Sequence, residues 1–203
     1  MHKPSLIFRA LLAGITIGLL AACAGPAPRP APDVPPPPSE PAPPPTPTPP
    51  KPEPEPSPVS PATANELTVA HNFWRKQVKS KPLVWSDDLA RQARDWALTL
   101  LRTGKYEHRP DSPYGQNLAW FAGERMNPAA VVDYWGNEVE YYDYEKNACI
   151  EEAECRHYTQ IVWNDTQEVG CASAWGEHPK YGVQEFWVCN YNPPGNMEGL
   201  RPY

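Results

Sequence analysis

The sequence predicts an α+β domain carried behind a long proline-rich segment. Of 29 prolines, 20 lie between Pro26 and Pro61, while all eight tryptophans lie beyond that stretch, so only the later part has the apolar bulk to bury a core. Within that part, three stretches with apolar residues at helical spacing precede two runs rich in β-branched and aromatic residues, Val169–Trp175 and Glu185–Tyr191. The breaker-rich loop between the two runs points to an antiparallel pair.

The first helix is expected to open at Thr63-Ala64-Asn65-Glu66, which has the form of a capping box, with Leu67, Ala70, Phe73, Trp74 and Val78 following at helical spacing. Ser86 caps a second helix that buries Leu89, Ala93, Trp96, Ala97, Leu100 and Leu101 and stops at Gly104. Gln116–Phe121 reads as a short strand after a turn-rich segment. Asn127 followed by Pro128 opens a third helix that runs through Val131, Val132, Trp135 and Val139. On that helix Glu138 points near the buried face, so it needs a partner or borders a cleft. In Cys155-Arg156-His157-Tyr158-Thr159-Gln160-Ile161-Val162-Trp163, residues Tyr158, Ile161 and Val162 share one helical face and His157 stands at the helix start. A breaker-rich loop, Gly176–Gly182, separates the two late strands, and Asn192-Pro193-Pro194-Gly195-Asn196 ends the second because proline cannot donate to a ladder.

The N-terminus has a different character. His2, Lys3 and Arg9 precede an apolar run, Ala10–Ala22, that is short for a membrane span and reads as an export signal. Leu20-Ala21-Ala22-Cys23 looks like a bacterial lipobox, which would make residues 1–22 a lipoprotein signal peptide and Cys23 the acylated residue. Residues 23–61 would then form a disordered, semi-rigid stalk that reaches on the order of 100 Å from the membrane in polyproline geometry. The globular domain occupies 62–203. Ala24 follows the lipobox cysteine in place of an aspartate, which favours the outer membrane or cell surface as the destination.

Net charge is −6 with a pI near 5.4, which offers no basic field for a phosphate backbone and excludes nucleic acid as a partner class. With Cys23 assigned to lipid, Cys149, Cys155, Cys171 and Cys189 remain, and an oxidising compartment makes two disulfides the expectation. Pairing Cys149 with Cys155 would close a small loop before His157, and pairing Cys171 with Cys189 would tie the late strands. Spacing leaves all three pairings open.

The motifs His71-Asn72-x-x-Arg75, Gly115-Gln116-Asn117-Leu118, Trp135-x-x-Glu138, the Cys155–Trp163 run and Phe186-Trp187-Val188-Cys189-Asn190-Tyr191-x-Pro193-Pro194-Gly195-Asn196 occur in an order that resembles the CAP superfamily. This family comprises cysteine-rich secretory proteins, insect venom allergens and plant pathogenesis-related proteins, and the chain looks closest to the plant branch. The resemblance implies a CAP-type α-β-α sandwich with a central antiparallel sheet and a cleft lined by two histidines and two acidic residues. Carried over residue by residue, the cleft positions are His108, Gln116, Glu138 and His157, with His108 and His157 able to hold zinc or another divalent cation. Gln116 departs from the acid expected there, since an amide accepts a hydrogen bond but brings no charge. His71 matches a motif whose role looks structural, and His178 is expected to be solvated.

The resulting expectation is an exported, lipid-anchored binding module for a sterol, fatty-acid or cell-wall ligand, with the aromatic run Tyr134, Trp135, Tyr141, Tyr142 and Tyr144 as a candidate apolar groove. The alternative is a metal-dependent hydrolase acting on envelope or host polymers. Turnover is not the expectation, because neither His-Glu-x-x-His nor Gly-x-Ser-x-Gly is present.

Overall fold

A computed structural model describes residues 58–178 and 180–203. The leader, Cys23 and the stalk as far as residue 57 lie outside the described residues. Helices α1 (Pro61–Gln77), α2 (Asp87–Thr103), α3 (Pro128–Gly136) and α4 (Arg156–Ile161) alternate with strands β1 (Val84–Trp85), β2 (Gly115–Ala122), β3 (Tyr142–Asp143), β4 (Ala148–Cys149), β5 (Glu168–His178) and β6 (Gly182–Asn192). The main sheet has the order β1-β5-β6-β2. Its three long strands are antiparallel, and the two-residue β1 joins one edge in parallel, so the sheet is mixed where a purely antiparallel one was expected.

Strand alternation builds the sandwich. Val169, Cys171, Trp187, Cys189 and Tyr191 project to one face and pack with Leu67 of α1, Val131, Val132 and Trp135 of α3, and Tyr158 and Ile161 of α4. Ala172, Ala174, Phe186 and Val188 project to the other face, against Ala93, Ala97 and Leu100 of α2. A single period of two thus serves two cores, and the α-β-α layering follows from it.

The helix ends show where local reading held and where it slipped. Ser86 caps α2 through Leu89 N, and Gly104 closes it in the left-handed region at φ 65, as expected. Helix α1, in contrast, starts three residues before Ala64. Ser60 Oγ accepts from Thr63 N at 3.1 Å and Pro61 takes the first helical position, so the hydroxyl and proline of Ser60-Pro61 outcompete the Thr63–Glu66 box. Helix α3 does not continue through Val139. It ends at Gly136, where a Cβ would meet the Trp74 indole at 2.1 Å, and tightens into a 3-10 turn over Asn137–Tyr141. The tighter winding carries Val139 out to 38% exposure while Glu138 stays turned inward. The expected 176–182 loop is also shorter, because β5 runs on to His178 and pairs residue by residue with β6 up to Gly182.

Both disulfides are present as Cys149–Cys155 and Cys171–Cys189, the second joining residues that face each other across β5 and β6. This removes the alternative pairings and leaves these cysteines no thiolates for a metal.

Candidate functional site: a short helix crowned by two carboxylates

Helix α4 has six residues, too few to be stable by its own hydrogen bonds, and side chains from outside the helix support both of its ends. At the N-terminus Glu154 Oε1 accepts from Cys155 N at 3.1 Å and Arg156 N at 2.7 Å. Glu138 Oε2 accepts from His157 N at 3.1 Å and Tyr158 N at 3.3 Å. Two carboxylates therefore satisfy four successive amides, and their charge also suits the positive end of a helix. Asn117 donates to His157 O at 3.0 Å and Asn196 to Arg156 O at 2.9 Å.

The C-terminal end is held by Arg75, which is wholly buried. Its guanidinium donates to Ile161 O (2.9 Å), Trp163 O (2.8 Å), Thr166 O (3.0 Å) and Lys81 O (2.5 Å). Ser80 Oγ donates to Val162 O at 2.7 Å. Burial pulls the Arg75 guanidinium down to about 10, which leaves it charged at neutral pH. His71, one turn earlier, is equally buried. Its Nδ1 donates to Leu67 O at 2.8 Å and its Nε2 accepts from the Tyr191 hydroxyl at 2.9 Å. Loss of solvent lowers it to about 4, so it is neutral at pH 7. The structural role expected of His71 agrees with this enclosure.

His157 is different in kind. Its Nδ1 lies 2.6 Å from Glu138 Oε1, its ring stacks on Trp135 with centroids 6.0 Å apart, and about a fifth of the side chain stays exposed. Among the described residues its Nε2 has no hydrogen-bond partner. Glu138 and Glu154 open onto a hollow of about 600 Å³ walled by Tyr134, Tyr141 and Ala153.

The four candidate residues form two pairs. Glu138 and His157 meet as described. His108 Nδ1 lies 3.1 Å from Gln116 Oε1, which also accepts from Arg109 N, and Gln116 Nε2 donates to Asn190 Oδ1 at 3.0 Å. Register accounts for the split. Gln116 pairs with Asn190, whose amide bonds Leu89 O of α2, whereas its neighbour Asn117 faces the other way and supports α4. His108 and Gln116 line a separate hollow of about 240 Å³ with Gln160 and Asn196.

Sequence reasoning named Glu138 and His157 but missed Glu154, which joins them in a group whose ligand atoms all lie within 4.8 Å of one another. His108 is not a member of it. The available signal was the Cys149–Cys155 loop, which sets Glu154 one residue before the cysteine at the start of α4. Tyr106 faces the same acids. Burial of its hydroxyl, which donates to Leu118 O at 2.8 Å, raises it to about 12, and the charges of Tyr134, Glu138 and Glu154 add to the rise.

The expected aromatic groove is divided. Trp135 is core, with no exposed surface, and its indole donates to Leu118 O. Tyr142 and Tyr144 pack with Tyr203, and Tyr142 also packs with Tyr158. Tyr134 and Tyr141 remain exposed beside the acidic hollow.

The sequence profile of the cysteine-rich secretory protein (CAP) family matches residues 69–191. Pathogenesis-related protein PR-1 of Medicago truncatula is 40% identical over 139 residues, which is 68% of this chain and 78% of that protein. Among solved structures, venom allergen-like protein 4 of Schistosoma mansoni has a TM-score of 0.55 at 28% identity, covering 71% of this chain and 95% of the other. NaASP2, solved with Zn2+, has a TM-score of 0.53 at 19% identity, covering 71% and 86%, a likeness of fold.

Proposed function

Because the chain belongs to the cysteine-rich secretory protein family, we propose that it is an exported binding module whose acidic hollow beside α4 holds a divalent cation. The observation that carries this reading is His157, which is partly exposed and clustered with Glu138 and Glu154, the two carboxylates that line the hollow, where a packing histidine would be enclosed. Zinc fits such donors, since it takes imidazole nitrogen and carboxylate oxygen. The bound ion would supply a positive centre for an anionic or carbonyl group of a ligand. Glu138 orients the imidazole, and Trp135 fixes its plane. Two disulfides and a secretory family agree with an extracellular domain.

Beside the cation, Tyr134 and Tyr141 offer exposed aromatic faces for a flat or acyl ligand such as a sterol or fatty acid. Acylation at Cys23 would keep the module on a membrane. No helix among the described residues is long and apolar enough to cross a membrane.

Calorimetric titration of the full chain with zinc is expected to show saturable binding that is lost in His157→Ala. Displacement of a fluorescent fatty acid is expected to weaken in Tyr134→Ala and Tyr141→Ala. Absence of zinc heat in the wild type would refute the cation reading, and unchanged lipid displacement in both tyrosine variants would refute the aromatic one.

A further inference from the structure

The histidine pair to which the family resemblance points falls in no three-donor cluster among the described residues, His108 Nδ1 being held by Gln116 and Gln116 by Asn190. Another set does gather. We infer that the cation site of this chain consists of Glu138, Glu154 and His157, with Glu154 supplying the carboxylate that Gln116 lacks. This rests on the reading of the acidic hollow as a cation site and specifies which residues make it.

Three arguments lead to this assignment. A carboxylate oxygen of Glu138, one of Glu154 and a ring nitrogen of His157 lie within 4.8 Å of one another, close enough for one ion to touch all three after small side-chain adjustments. Each carboxylate is also anchored by two main-chain amides. Glu154 Oε1 takes the Cys155 and Arg156 amides, while Glu138 Oε2 takes those of His157 and Tyr158 and Glu138 Oε1 holds His157 Nδ1 at 2.6 Å, so an ion would bind Glu154 Oε2 and share Glu138 Oε1 with the imidazole. The backbone of Glu154 is restrained as well, since the next residue is cross-linked to Cys149. Anchored donors lose little freedom when an ion arrives, which distinguishes this group from a loose acidic surface. One imidazole nitrogen with two carboxylates suits zinc or manganese better than calcium, which takes oxygen alone.

The hollow over Glu138 and Glu154 leaves a path for the ion and room for a further ligand on it. Glu140 lines the same hollow but is not in the trio, so it serves as an internal control for general negative charge.

The test is calorimetric titration of the full chain with zinc, and in parallel with manganese, comparing Glu154→Gln, His108→Ala and Glu140→Gln with the wild type. Glutamine keeps an oxygen for the α4 amides, so Glu154→Gln is expected to fold, with circular dichroism as the check. Glu154→Gln should weaken binding by on the order of tenfold or more, whereas His108→Ala and Glu140→Gln should leave it within about twofold. Loss in His108→Ala with retention in Glu154→Gln would overturn the assignment and leave the cation reading standing. Equal, salt-sensitive weakening in all three would mean diffuse attraction and would overturn it too. No binding by the wild type would remove both.

Discussion

His71 and His157 are both helical, both hydrogen-bonded and linked through a single line of contacts, yet they occupy opposite physical regimes. The Asn117 amide donates both to His157 O and to the Tyr191 hydroxyl oxygen, and that hydroxyl donates to His71 Nε2. At the inner end both ring nitrogens of His71 are taken by neutral partners and solvent is gone, so charging it is costly and it can only brace the core. At the outer end His157 has a carboxylate partner, an aromatic ring behind it and access to water. Motif membership does not separate the two histidines. Enclosure does, since a ligand must be able to exchange its partner for an ion.

The comparison breaks most easily at its buried end. Arg75→Met would strip four carbonyls of their donor, three of them at the exit of α4, and is expected to cost about 3–5 kcal/mol in urea unfolding. His157→Ala should cost far less, under about 1.5 kcal/mol, because the side chain it removes is partly exposed. A similar cost for both would show that the outer end is as structural as the inner one.

Acid titrates the same contrast. His71 has a folded value of about 4 against about 6.5 when unfolded, so the unfolded chain takes up its proton first. The contribution of His71 is therefore fully present above about pH 6.5 and disappears as pH falls toward 4. The linkage amounts to on the order of 3 kcal/mol. Thermal melts from pH 7 to 4 should show a steeper fall for the wild type than for His71→Gln, which removes this proton uptake, and parallel slopes would count against the enclosed, neutral state of His71.

Smaller effects sharpen the outer end. Glu138→Ala leaves two α4 amides and His157 Nδ1 without their acceptor and is expected to cost about 1–2 kcal/mol, whereas Glu138→Gln, which keeps an acceptor oxygen, should recover part of it. Paired Cys149→Ser and Cys155→Ser substitutions should lower the melting temperature by a few degrees, since the loop they close is short. They should weaken zinc binding more than that loss of stability would suggest, because Glu154 is then no longer positioned. Unchanged zinc affinity in the double variant would show that the loop does not orient a ligand.

Much of this was legible without coordinates, and for identifiable reasons. Ser86, Gly104, Asn127 and Pro128 act on the backbone within a few residues, so their caps could be read directly. Tyr158, Ile161 and Val162 face the core because helical spacing leaves them no other choice. The CAP resemblance rested on such local patterns, and the fold it implied is the one observed, with a short parallel β1 added at the sheet edge. The errors were also local in origin. Two adjacent caps competed at Ser60 and Thr63, and a change of helical pitch after Gly136 altered the phase of Val139.

What the sequence by itself determined was therefore the class of the domain, its two-faced strands, the four cysteines that form its two disulfides and the short helix on which the polar side chains converge. Tertiary structure alone decided which acids reach that helix. Strand alternation sends Gln116 and Asn117 to opposite faces, taking His108 with Gln116, and the Cys149–Cys155 closure swings Glu154 into the place beside Glu138. Linear spacing carries no record of that choice, because it depends on which face of a sheet and which end of a loop lie against a helix distant in the chain.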